Sequence, residues 1–122
     1  MEIPPRALLL VSRLPRNLQL LAEVLGKEGY ATLQAADYET FDQVLAQPQA
    51  IAGSLIDIAG FDAAIWPRCE HLRAASIPFL IFLPRQSEAI QQASRSHGAE
   101  GIMVKPLVMK ELLGVIRSIV GE

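Results

Sequence analysis

The strongest constraint on this chain is an alternation. Five short apolar runs recur along its 122 residues, and longer segments with helical spacing separate and follow them. Ala7-Leu8-Leu9-Leu10-Val11 is apolar without interruption, the pattern of a strand covered on both faces. Pro15 then suits the first turn of a helix, where an N–H is not needed, and Leu18, Leu21, Val24 and Leu25 follow at spacings of three and four before Gly29 closes the segment. Ala31–Ala35 is a weaker strand, expected near an edge. Asp37 is placed to cap a helix carrying Phe41, Val44 and Leu45 that ends before Pro48.

The second half continues the pattern. Ile51–Ile58 reads as the third strand, with Gly60 breaking the chain after it. Phe61–Ala75 reads as helix, with Pro67 demanding either a late start or a kink. Phe79–Leu83 is the fourth strand, Ser87–Ser96 a polar helix, Gly101–Val104 the fifth strand and Val108–Val120 the last helix. Such alternation predicts a parallel sheet with helices on both faces: an α/β, flavodoxin-like, doubly wound five-stranded sheet of order 2-1-3-4-5. The length allows a single domain, 1–122.

Composition removes several function classes. A net charge of -2 with scattered arginines argues against a nucleic-acid surface, and no helix-turn-helix remains once the β-α units are assigned. The single cysteine, Cys69, excludes a disulfide framework or a Cys-rich zinc site, and a packed thiol is the expectation for it. His71 and His97 lack metal-ligand spacing and read as surface or helix-end residues; Trp66 reads as core or as a partner anchor, with core packing the expectation. No apolar run approaches the ~18 residues of a spanning helix and no leader pattern is seen, so a soluble, cytoplasmic domain is expected. A flavin or nucleotide carrier would want a Gly- or Ser/Thr-rich loop after the first strand; Ser12-Arg13-Leu14-Pro15-Arg16 has one hydroxyl and no glycine.

In an open sheet of this kind the working crevice lies at the carboxyl ends of the strands. The residues there carry a resemblance. Leu9–Asn17, Leu55-Ile56-Asp57 followed by Gly60-Phe61-Asp62, Ile77–Leu83 and Gly98-Ala99-Glu100-Gly101-Ile102-Met103-Val104-Lys105-Pro106 resemble, in order and spacing, the motifs of response-regulator receiver domains of two-component signalling. The resemblance covers essentially the whole chain. It implies that Asp57 occupies the phospho-acceptor position and that Lys105 and Pro106 match the lysine-proline pair after the fifth strand, where proline permits a cis peptide.

The departures from that family are as informative. The resemblance puts Ser12 and Arg13 where receivers carry an adjacent acidic pair that holds magnesium. Mg2+ wants oxygen ligands with one or two carboxylates, and a guanidinium repels it. Leu83 stands where receivers have a Ser or Thr that bonds the phosphoryl group, and Ile102 stands at the aromatic switch position. Phosphoryl transfer leans on metal to neutralise charge, so these changes imply a degenerate receiver.

The expected function is therefore a non-enzymatic signalling module, phosphorylation-independent, acting by protein–protein contact. It needs no cofactor, with Mg2+ binding lost or weak. The resemblance also implies the partners: an output domain, a kinase or a second copy, through the surface of the fourth helix, fifth strand and fifth helix, with Lys110, Glu111, Arg117 and Ser118 on its exposed side. No direct nucleic-acid or membrane contact is expected. The alternative is a conventional receiver phosphorylated on Asp57 by a histidine kinase. At the site, Arg13, Asp57 and Lys105 are expected to form one charged cluster.

Overall fold

The computed structural model describes residues 6–121; Met1–Pro5 and Glu122, part of the single-domain expectation, lie outside the described residues. The elements run β1 (Ala7–Val11), α1 (Pro15–Lys27), β2 (Thr32–Ala35), α2 (Tyr38–Leu45), a single 3-10 turn (Pro48–Ala50), β3 (Ile51–Asp57), α3 (Ile65–Ala74), β4 (Phe79–Leu83), α4 (Glu88–Ser96), β5 (Gly101–Val104) and α5 (Met109–Val120). All strand pairings are parallel, in the order β2-β1-β3-β4-β5. That is the architecture the alternation predicts, with β2 at an edge.

Strand parity sorts the core into two layers, because successive side chains point to opposite faces. Leu8, Leu10, Leu55, Leu80 and Phe82 pack on one face under Leu18 and Leu25 of α1 and Leu112 and Ile116 of α5. Leu9, Val11, Ile56, Ile81 and Leu83 pack on the other under Phe41 and Leu45 of α2 and Ile65, Cys69 and Leu72 of α3. The polar Ser54 survives inside β3 because its hydroxyl donates to the Leu9 carbonyl at 2.9 Å, across the β1–β3 ladder.

Helix ends follow from local chemistry. Asp37 caps α2 by accepting from the Thr40 N–H at 2.8 Å. Pro67 does not kink α3, since the helix starts at Ile65 and puts the proline in the first turn, where its missing N–H costs nothing. The residues before it, Phe61–Ala64, turn instead, held by Asp62, whose Oδ1 accepts from the Ala64 N–H at 3.0 Å. Trp66 is half-buried against the core and stacks on His97, the residue closing α4, with ring centroids 5.0 Å apart and planes 10° from parallel.

Candidate functional site

Parity also assembles the site. Asp57, the last residue of β3, lies on the same face as Leu55, and Ser12 and Lys105, each one residue beyond its strand, extend the alternation of Leu10 and Met103. All three therefore meet at the carboxyl end of the sheet, between α1 and the start of α5, where they line one cavity. Leu83 and Ile102 have the other parity. Leu83 is fully buried in the opposite core layer, and Ile102, paired in register with Ile81, packs against that layer.

Asp57 is 7% exposed and its charge is answered at close range. The Lys105 ammonium donates to Asp57 Oδ2 at 2.5 Å, while Asp57 Oδ1 accepts from the Ala59 N–H at 3.2 Å. Both oxygens are thus engaged by the protein. Ser12, also buried, accepts from the Leu14 N–H at 3.2 Å. The Lys105–Pro106 peptide is cis.

Arg13 does not join the Asp57–Lys105 pair, which corrects the expected three-residue cluster. Its guanidinium carbon lies 4.8 Å from the Phe61 ring centroid and 5.3 Å from that of Tyr38. Gly60, at φ +83°, makes room for this course: a Cβ there would stand 3.1 Å from Arg13 Cγ. Electrostatics favour the same direction, since the positive charge of Arg13 helps hold the carboxyls of Asp37 and Asp62 below their ordinary range. For Asp37 the larger cause is the Thr40 backbone N–H, and for Asp62 it is the Tyr38 hydroxyl, donating at 2.6 Å. Arg68 completes the group, lying 3.9 Å over Tyr38 and gripping Asp42 with two bonds of 2.9 Å.

The donor set can be tested for Mg2+ directly. Among the described residues Asp57 is the only carboxylate lining the cavity, and one of its oxygens is held by Lys105. Among the described residues no group of three or more His, Cys, Asp or Glu side chains gathers to hold a metal. Ser12 adds one neutral oxygen. Residues of this kind do not fit an ion that demands near-octahedral oxygen ligation and favours carboxylates.

Sequence reasoning missed the cavity itself. It measures about 320 Å³, and apart from Ser12, Asn17, Asp57 and Lys105 its lining is apolar, with Leu20, Leu21 and Val24 on one side and Pro106, Leu107 and Met109 on the other. The large apolar side chains left exposed among the described residues are Leu14, Leu20 and Val108; Leu20 lines the cavity and Val108 sits between two residues that do. The signal was present in α1, where Leu20 and Leu21 stand side by side and widen the apolar arc beyond what the core needs.

Solved structures share this fold over nearly its full length. A two-component response regulator from Clostridium difficile superposes with a TM-score of 0.85 at 17% identity, covering 96% of this chain and 97% of that one. The Vibrio cholerae chemotaxis protein CheY4 gives 0.77 at 22% identity, covering 94% and 98%. The chain has the receiver-domain fold. A candidate pilus assembly-related protein from Burkholderia pseudomallei is also similar, with a TM-score of 0.79 at 19% identity over 95% of this chain and 90% of that one. No family model matches the sequence, and no curated protein does. In this structure Asp57 ends β3 and Lys105 follows β5 directly. Among the described residues no helix is long and apolar enough to cross a membrane.

Proposed function

We propose that this chain is a signal-transduction module of the response-regulator receiver type that acts by protein–protein contact, without phosphoryl transfer and without enzymatic activity. One observation carries the reading: the β1–α1 turn supplies no carboxylate to the site, and its charged residue, Arg13, is committed to Phe61 and Tyr38. Without metal ligands, the charge on a transferring phosphoryl group has, among the described residues lining the site, only Lys105 to neutralise it, and Lys105 already serves Asp57.

A contact module needs a surface and a partner. The surface of α4, β5 and α5, with Lys110, Glu111, Arg117 and Ser118 exposed on α5, is the face we assign to an output domain, a kinase or a second copy. The similarity to a pilus assembly-related chain supports a partner within a protein assembly as readily as a transcriptional output. The site of action in this reading is the cytoplasm, with no contact to nucleic acid or membrane.

The second reading is a conventional receiver phosphorylated on Asp57, favoured by the Asp57–Lys105 contact and by the opening of the cavity onto both residues. Incubation with a small phosphodonor and Mg2+, followed by intact-mass measurement with Asp57→Asn as control, separates the two. No added mass is the expected result. A single phosphoryl group that vanishes in the control would restore the second reading.

A further inference from the structure

The cavity between α1 and the β5–α5 turn has the make-up of a ligand site. Its volume of about 320 Å³ falls within the ~300–1,000 Å³ of small-molecule pockets, and it pairs an extended apolar wall with a few polar groups gathered at one end. Those polar groups have capacity left over. Ser12 is 96% buried (4% exposed); its oxygen accepts from Leu14, but among the described residues its hydroxyl proton has no protein acceptor. Lys105 uses one of its three ammonium donors, on Asp57. Asp57 keeps lone pairs beyond the Lys105 and Ala59 bonds.

The charges cancel, and this selects the headgroup. Lys105 and Asp57 form a neutral pair, so an incoming carboxylate would crowd Asp57, and an incoming ammonium would crowd Lys105. A neutral amide fits both sides, its carbonyl accepting from Ser12 or Lys105 and its N–H donating to Asp57. The apolar wall of Leu20, Leu21, Val24, Leu107 and Met109 then asks for a short hydrocarbon chain. We propose that this cavity binds a small amphipathic molecule, an acyl amide, with its amide at Ser12, Asp57 and Lys105 and its chain along α1. The proposal rests on the proposed function in one respect: it takes the Asp57 carboxylate as unphosphorylated.

The test uses octanamide as probe, with octanoate and acetamide beside it, read by amide chemical shifts on the whole chain. Octanamide should produce saturable shifts centred on α1 and the start of α5. Octanoate should bind about tenfold more weakly, and acetamide not at all. Val24→Phe, which fills the cavity, and Leu20→Ser, which changes an exposed position and leaves the fold intact, should each weaken octanamide by about tenfold. Ser12→Ala should weaken it about fivefold through loss of one donor.

Absence of a saturable shift, or shifts of equal affinity in the Val24→Phe and Leu20→Ser proteins, would overturn the proposal. Octanoate binding as tightly as octanamide would refute the neutral headgroup. A dimer by light scattering that Leu20→Ser dissolves, with octanamide inert, would instead assign this face to a second copy of the chain.

Discussion

The Arg13 guanidinium packs 4.8 Å from the Phe61 ring and, among the described residues, forms no ion pair. The charged side chain next to Ser12 in sequence is thereby spent on tying the β1–α1 turn to the β3–α3 turn and to α2. Arg13→Ala should lower stability by about 1 kcal/mol in urea unfolding, and Arg13→Lys should recover only part of it, because an ammonium lacks the planar stacking surface. Combined with Asp57→Asn, the losses should add to within about 0.5 kcal/mol. Strong coupling between the two would place Arg13 back beside Asp57.

The Asp57–Lys105 pair should respond asymmetrically to mutation. Asp57 has 9% of its side chain exposed and Lys105 30%, so removing the lysine strands a carboxylate that water barely reaches. Lys105→Met should cost about 2–3 kcal/mol, below the full buried-pair range because the lysine is partly solvated. Asp57→Asn should cost about 1 kcal/mol, since an amide oxygen still accepts from Ala59 and the freed ammonium can turn to solvent. Equal losses in chemical denaturation would contradict this account.

Gly114 sits in the interior of α5, exposed, and a Cβ added there meets nothing within 4 Å. Gly114→Ala should therefore raise stability by about 0.5–1 kcal/mol through reduced backbone entropy of the unfolded chain. A thermal melt reads this directly; a loss of stability would show that α5 does not tolerate a side chain at that position.

Acid and base should each weaken the Tyr38–Asp62 contact. The Tyr38 hydroxyl holds the Asp62 carboxyl below its ordinary 3.8, so that contribution is complete above the ordinary value and fades as pH falls through the lowered one. Tyr38 is raised above its ordinary 10.0, by burial first and by the bond to Asp62 second, so its contribution is complete below the ordinary value and fades as pH rises through the raised one. Near-ultraviolet titration of the protein against Tyr38→Phe should show that the ionisation lost with the Tyr38 hydroxyl lies above the ordinary tyrosine range. Asp62→Asn should bring Tyr38 back toward its ordinary range.

Cys69 should be inert in the native state. It is fully buried, and burial, with a smaller push from Glu70, raises its thiol to about 12. Iodoacetamide at neutral pH should label it only after unfolding. Prompt labelling of the folded protein would mean that α3 opens locally.

Most of the architecture was legible in the chain because it depends on local periodicity. Continuous apolar runs specify strands buried on both faces, spacings of three and four specify the helices between them, and strict alternation leaves parallel pairing as the outcome. The positions of Asp57 and Lys105 at strand ends followed from the same pattern. The start of α3 was legible only as an alternative, because Pro67 is compatible with a kink or a first turn until the packing of Ile65 decides.

What the tertiary structure alone decided is the company each side chain keeps. Arg13 is one residue from Ser12 and could reach either side of the turn; its choice of Phe61 and Tyr38 depends on Gly60 and on two turns and the start of α2 meeting from distant parts of the chain. The cavity likewise exists only where α1 and the β5–α5 turn come together, some 80–90 residues apart in sequence. Periodicity is a property of neighbours along the chain and can be read from them. Pairing of charges and the shape of a pocket are properties of neighbours in space, and those are fixed only when the sheet brings the strand ends into one plane.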